Sequence, residues 1–320
     1  MPGFFHNRNR PRGVGKGRKQ PNLSERSPGR ANGGAGGRSS ARQDWREYDA
    51  EAFERGAVPL TSAAAADLVA LAAPEPGQRL LDVGTGTGVA AQAASHAVGA
   101  GGIVVGADLS VDMLGVGARK RPGARYVAAD AIDLPFRGQA FDVVTANFLI
   151  ALVPKYDTVL FDMIRVLKPG GHLALSWWGK GQDEFQRTWR ELAEEAVGQE
   201  LLDDAIKGVM PWNDRFADRH SFEETLRDAG LHPVRVEARE YRVQMALEDY
   251  LVHRATSAAG RFIRNMLGEE GWNRFLARAR AVYAERFPAQ INDFRDVLLA
   301  VGTRASDGLQ QQDVQGSTRR

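Results

Sequence analysis

The chain has no cysteine among its 320 residues. It therefore holds no disulfide, no thiolate metal site and no cysteine nucleophile. It also lacks an apolar run of the roughly 18 residues needed to span a bilayer. Residues 63–73, Ala-Ala-Ala-Ala-Asp-Leu-Val-Ala-Leu-Ala-Ala, come nearest, but they are too short and carry Asp67. They read as a helix packed ahead of a first strand. Net charge is nearly absent, at +2, yet it is unevenly spread. Residues 1–42 hold ten Lys/Arg and one acid, Glu25, whereas the rest holds 32 bases against 39 acids. That first segment is rich in Gly, Arg, Pro and Ser and nearly free of aliphatics, which predicts a disordered basic tail. It lacks the apolar core of a secretory signal, so a cytoplasmic protein is expected. Such a tail can neutralise phosphates of RNA or an anionic surface. The acidic remainder argues against a broad nucleic-acid surface, and the tail is expected to be dispensable for activity.

What is present is a chain with 43% hydrophobic content, enough for one large core and a smaller accessory layer. Its most informative stretch is Leu80-Leu81-Asp82-Val83-Gly84-Thr85-Gly86-Thr87-Gly88. Arg79 to Val83 reads as a buried strand, the glycines follow at once, and a helix-favouring Ala-rich run begins at Val89. Such a turn brings a ligand against backbone N–H groups and the positive end of a helix. The spacing disfavours a nicotinamide dinucleotide, because Val89 stands where the third glycine of G-x-G-x-x-G belongs. Asp82 at the strand's end would repel phosphates and attract a cationic ammonium or sulfonium.

A second apolar strand, Gly102 to Ala107, ends at Asp108, which is spaced to accept hydrogen bonds from both hydroxyls of a ribose. Its alternative role is to cap the helix beginning at Ser110 to Met113, although Ser110 can do that itself. A third strand, Ala124 to Ala128, leads to Asp130-Ala131 and then Ile132-Asp133-Leu134-Pro135-Phe136. A fourth, Phe141 to Ala146, ends at Asn147-Phe148. Arg165 to Gly171 closes a helix with a turn before a fifth strand, Leu173 to Ser176.

In order and spacing these motifs resemble the class I S-adenosylmethionine-dependent methyltransferases. They are most similar to the small-molecule branch that includes the ubiquinone and menaquinone C-methyltransferases. The resemblance runs from about Trp45 to Ser176. It implies an α/β fold: a doubly wound, seven-stranded, mostly parallel, Rossmann-like sheet with helical lid insertions. It further implies that Gly84, Thr85, Gly86, Thr87 and Gly88 line the methionine part of S-adenosylmethionine. Asp82 would orient its amino group, directly or through water. Asp108, with Leu109 beside it, would hold the ribose, Asp130 and Ala131 the adenine, and Asn147 the methionyl side near the acceptor. Tyr48 matches a position that lids the cofactor, with helix packing as its other reading. The Asn147-Phe148-Leu149 stretch lacks the Asn/Asp-Pro-Pro-Tyr signature of many adenine, cytosine and glutamine N-methyltransferases.

Residues 43–304 are thus expected to form the catalytic domain, with a cofactor half (43–178) and a substrate half (179–304) ahead of a polar tail at 305–320. Trp177-Trp178 fall at the carboxyl end of the fifth strand, where open α/β sheets bind ligands, and are expected to wall the acceptor pocket. Glu184 to Val197 reads as an amphipathic helix, and a loop surrounds Pro211-Trp212-Asn213. Ser221 with Glu224 is patterned as a capping box, on a helix stopping at Gly230. Val234 to Val243 and Phe294 to Val301 read as strands six and seven, the last antiparallel. Between them, about residues 246–288 read as helices Leu247–Gly260, Arg261–Leu267 and Glu270–Phe287, a lid over a small apolar or aromatic acceptor. The alternative is a surface for a homodimer. His253, on the first of these helices, is the candidate general base; Glu47 and Asp49 are weaker ones, and no metal is expected. A catalytically inactive cofactor-binding regulatory or scaffold protein, and a nicotinamide dehydrogenase, are the competing readings.

Overall fold

The computed structural model describes residues 49–306. The basic tail at 1–42, Glu47, Tyr48 and residues 307–320 lie outside the described residues. The strands are β1 (Arg79–Val83), β2 (Ile103–Asp108), β3 (Arg125–Ala128), β4 (Phe141–Asn147), β5 (Leu167–Trp178), β6 (Leu231–Ala246) and β7 (Gln290–Arg304). They form one sheet in the order β3-β2-β1-β4-β5-β7-β6. β1 to β5 run parallel, and β7 pairs antiparallel with β5 and β6. The chain reverses its winding between β1 and β4, the crevice where doubly wound sheets hold ligands.

Helices cover both faces: α1 (Ala50–Gly56), α2 (Val58–Ala72), α3 (Val89–Val98), α4 (Val111–Lys120), α5 (Tyr156–Val166), α6 (Glu184–Val197), α7 (Gln199–Val209), α8 (Asn213–Phe216), α9 (Arg219–Asp228), α10 (Leu247–Thr256) and α11 (Ala258–Arg286). Two-sided cover explains why the inner strands read as nearly continuous apolar runs. On one face Leu81, Val83, Val144, Leu173 and Leu175 pack with Val159, Leu160 and Met163 of α5. On the other, Leu80, Val104, Val143 and Ala174 meet Ala64, Ala65 and Leu68 of α2 and Ala91 and Ala94 of α3. The small alanines let these two helices sit close to the sheet. A separate aromatic core of Trp189, Tyr250, Trp272, Phe275 and Tyr283 builds the helical layer beyond the sheet's edge.

Three local expectations are corrected. Strand β5 starts at Leu167, which pairs with Phe141, and the Lys-Pro-Gly-Gly run loops out before pairing resumes at Val143–His172. The cap of α9 is Asp218, not Ser221, because the Asp218 carboxylate accepts the Ser221 N–H at 3.0 Å and starts the helix three residues earlier. Between β6 and β7 the expected break near residue 268 is present, at Gly268 of α11 with φ +64° and ψ 175°, but the first helix ends at Ser257 rather than Gly260, and Ser257 caps α11. Helices α1 and α7 were not anticipated.

Candidate functional site

The carboxyl ends of β1, β2, β3, β4 and β5 face one crevice, and register fixes their order. Asp82 pairs with Gly106 on one side and Thr145 on the other, Asp108 with Ala128, and Asn147 with Ser176. Gly84, Gly86 and Gly88 adopt φ of +67°, +55° and +89°. These left-handed angles favour glycine, and a Cβ on Gly88 would meet the Tyr126 Oη at 2.2 Å. The turn is pinned to β2, because the Gly84 and Thr85 N–H groups both donate to the Ala107 carbonyl.

Asp82 is buried under this turn rather than open to the crevice. Its two oxygens accept from the Thr85 hydroxyl at 2.6 Å and the Thr145 hydroxyl at 2.8 Å. Strand alternation turns it away from Leu81 and Val83, so it braces the turn from beneath. Burial pushes its carboxyl up to about 6, against the lowering effect of the two hydroxyls and with a small further push from Asp108.

Asp108 does reach the crevice. One oxygen accepts the Gly86 N–H at 2.8 Å and the other the Ser110 N–H at 2.9 Å, leaving each a lone pair for a ligand. Burial raises its carboxyl, opposed by the N–H groups of Ser110, Gly86 and Leu109. Ser110 caps α4 by accepting from the Met113 N–H, so Asp108 is spared that task. Asp130 is exposed and closes a small turn onto the Ile132 N–H at 3.2 Å, with Ala131 and Leu109 half-buried beside the rim.

At β4 the Asn147 Oδ1 accepts from the Ser176 hydroxyl at 2.7 Å, and Ser176 in turn accepts the Phe148 N–H at 3.0 Å. Phe148 takes φ +55°, a strained value for a bulky residue. It is held there by Ser176 and by stacking on Trp178, with ring centroids 3.9 Å apart and planes 22° apart. Leu149 follows and presses against Gly84, 2.8 Å from where a Cβ would stand. Trp177 points to the opposite face, is 1% exposed and donates its Nε1–H to Asn213 Oδ1, so it is a core residue, whereas Trp178 is half-buried against Phe148.

Helix α1, capped by Asp49, lies across the glycine turn. The Phe53 ring faces Gly86, 3.8 Å from the place of a Cβ. Arg121 clamps the helix down with two hydrogen bonds to Glu54, at 2.8 and 3.1 Å, and a third to the Thr87 carbonyl at 2.9 Å. Burial raises the Glu54 carboxyl, but the Arg121 guanidinium outweighs it and holds the group below its ordinary value. Gly56, at the end of α1, packs against His253, whose Cα and Cβ lie 3.0 Å from where a Cβ on Gly56 would stand. Burial, and then the charges of Arg295 and Arg254, hold the His253 imidazole well below its usual range, so it is neutral and weakly basic. His172 is spent elsewhere, its Nδ1 lying 2.9 Å from the Ala72 carbonyl. Phe53, the Glu54–Arg121 clamp, Phe148 and Leu149 carry no local sequence signal, because each acquires its place only through a distant partner.

The crevice presents acceptors: the free lone pairs of Asp108, the carboxylate of Asp130 and the amide oxygen of Asn147. Such a set suits ribose hydroxyls, an exocyclic amine and a cationic sulfur, and it repels phosphates. The glycine turn adds a cradle that any side chain would fill. These residues fit S-adenosylmethionine, and with the sheet order they define a methyltransferase of the Rossmann-like kind. The chain belongs to the ubiE/COQ5 methyltransferase family, whose model matches residues 65–244. It is 34% identical to the demethylmenaquinone methyltransferase of Clavibacter sepedonicus over 200 residues, 59% of this chain and 77% of that protein. Over 101 residues it is 44% identical to the demethylmenaquinone methyltransferase of Renibacterium salmoninarum, covering 32% of this chain and 41% of that protein. With the ubiquinone/menaquinone biosynthesis C-methyltransferase UbiE of Vibrio parahaemolyticus the figures are 43% over 111 residues, 33% of this chain and 43% of that protein. The last two matches thus span about two fifths of the relatives' length. A candidate methyltransferase of Bacillus halodurans shares the fold, with a TM-score of 0.50 and 20% identity over 76% of this chain and all of that one. Among the described residues no helix is long and apolar enough to cross a membrane.

Proposed function

We infer that the chain transfers a methyl group from S-adenosylmethionine to a ring carbon of a small, flat, quinol-like acceptor. The observation that carries this reading is the Phe148–Trp178 stack, an aromatic wall at the tips of β4 and β5 beside the glycine turn. The relatives' names, demethylmenaquinone and ubiquinone/menaquinone C-methyltransferases, support the same acceptor class. The cofactor supplies an electrophilic methyl on a positively charged sulfur that is already a good leaving group. The protein's share is to bind, align and exclude water. Asp108 accepts from the ribose, Asp130 and Ala131 border the purine, and Gly86 admits the methionyl chain beneath Phe53. Helix α1 shuts the turn from solvent, and Phe148 with Trp178 sets the acceptor's plane.

His253 is not needed as the base. His253→Asn is expected to keep kcat within about threefold, rather than the hundredfold loss that follows removal of a general base. Steady-state rates at pH 6 to 9 check this. No observation favours a silent scaffold or a nicotinamide dehydrogenase: Val89 opens α3 at the position of the missing glycine, and the crevice acids oppose a pyrophosphate. The deciding test is transfer from methyl-labelled S-adenosylmethionine to 1,4-dihydroxynaphthalene, with the product's methylated atom read by NMR. Ring-carbon methylation is expected. Cofactor binding without transfer to any ring acceptor would refute the reading.

A further inference from the structure

Beside Trp178, on the face of the sheet that carries α2 and α3, the far end of β7 holds an unusual set of buried polar atoms. Arg295 is 7% exposed and Asp293 and Tyr250 are fully buried. The Arg295 Nε donates to Asp293 Oδ2 at 2.5 Å, and its guanidinium lies over the Trp178 ring, 5.5 Å from the centroid. Its Nη2 has no hydrogen-bond partner, nor do Arg254 Nε, Trp189 Nε1, Tyr250 Oη and Asp293 Oδ1. Arg254 stands over Trp189 at 5.4 Å and, among the described residues, has no carboxylate at ion-pair distance. The charges of Arg254, Asp293, Arg295 and Asp183 all act on the Tyr250 hydroxyl, so these groups share one neighbourhood. Buried donors without acceptors are rare in folded proteins, and a cluster of them calls for an explanation.

The unfilled set is unbalanced. Arg295 Nη2, Arg254 Nε and Trp189 Nε1 can only donate, Tyr250 can do either, and Asp293 Oδ1 is the one plain acceptor. The Asp183 carboxylate nearby is already used, accepting from the Gln186 and Phe294 N–H groups. What completes such a set is an oxygen with lone pairs, preferably ionised. Register gives the direction, because Trp178 pairs with Val297, and Arg295 lies two residues farther along the same face of β7. The Arg295 guanidinium therefore stands against the Trp178 ring that Phe148 stacks on, beside the aromatic wall proposed for the acceptor.

We propose that Arg295, held by Asp293 and laid over Trp178, determines acceptor specificity by receiving the ionised oxygen of a flat aromatic ring, with Tyr250 as a second donor. This rests on the reading of the Phe148–Trp178 stack as the acceptor wall. Asp293 acts as a positioning residue through Arg295. Burial, with a further push from Asp183, raises its carboxyl to about 6 against the lowering effect of Arg295. The pair therefore strengthens as pH rises through that value.

The test is calorimetric titration of the full chain, saturated with S-adenosylhomocysteine, with 1-naphthol, 2-naphthoate and 1-methoxynaphthalene. Wild type is expected to bind 1-naphthol or 2-naphthoate at least about tenfold tighter than the capped ether, the worth of one charge-assisted hydrogen bond. Tighter 1-naphthol assigns the oxygen to a phenol, and tighter 2-naphthoate to a carboxylate. Arg295→Met should erase the preference while leaving S-adenosylhomocysteine affinity unchanged, and Arg295→Lys should restore part of it. Because Arg295→Met strands Asp293, the double variant Arg295→Met/Asp293→Asn is measured alongside, with thermal melting to verify folding. No preference in wild type, or a preference that survives in the folded double variant, would overturn the proposal. Methyl transfer is scored separately, so binding without transfer counts against the activity and not against this site.

Discussion

Asp108→Ala is expected to weaken binding of S-adenosylhomocysteine by about 100-fold or more. Each hydrogen bond to a charged group is worth about 1.5–3 kcal/mol, and the carboxylate offers one free lone pair per oxygen to the ribose diol. The loss has a second source. Asp108 also fixes the Gly86 N–H at 2.8 Å, so its removal loosens the turn that carries the methionyl end. Asp108→Asn separates the two, since the amide oxygen can still hold one N–H while the charge is gone. Calorimetric titration of both variants should give Ala weaker than Asn and Asn weaker than wild type. An Asp108→Ala variant that binds like wild type would mean that the ribose lies elsewhere.

The Glu54–Arg121 clamp should show the largest effect on stability. Both side chains are about nine-tenths buried, at 10% and 9% exposure. Removing one partner leaves an uncompensated buried charge, which costs about 3–5 kcal/mol. For a domain of this size Glu54→Ala should lower Tm by about 10 °C in a calorimetric scan. Replacing both with leucine should recover much of that loss, because the desolvation penalty disappears with the charges. The same pair sets a pH dependence. Glu54 is held below its ordinary value of 4.5, so its stabilisation is complete above that pH and fades as pH falls through the lowered value. Neighbouring contacts from Glu51 to Arg119 and Lys120 are exposed and should contribute little.

The sheet was legible because its inner strands bury both faces: Leu80-Leu81-Asp82-Val83 and Phe141 to Ala146 are apolar enough to stand out without any partner. The cofactor residues were legible for a related reason, since strand, turn and acid follow one another closely in sequence. What escaped notice depends on long-range contact. Helix α1 spans the polar string Ala-Glu-Ala-Phe-Glu-Arg-Gly, too short to be stable alone, and it holds through Phe53 and the buried Glu54–Arg121 pair, 67 positions apart. Asp82 was expected to face the ligand, because sequence places it at a strand tip without revealing which way the carboxylate turns. Trp177 and Trp178 look equivalent as a pair, and only the alternation of β5 sends one into the core. The Asp293–Arg295 pair was invisible because the seventh strand was expected to begin at Phe294, when it already runs from Gln290.

Strands β6 and β7 are 16 and 15 residues long, against five to seven for β1, β2 and β4. At about 3.3 Å per residue the long pair reaches roughly 50 Å, and its overhang supports the helical layer of α6, α10 and α11. On the proposed reading, selectivity sits on this overhang and the methyl donor is held at the tips of β1 to β4, so substitutions at residues 290–296 would change what is methylated more than they change the grip on the donor.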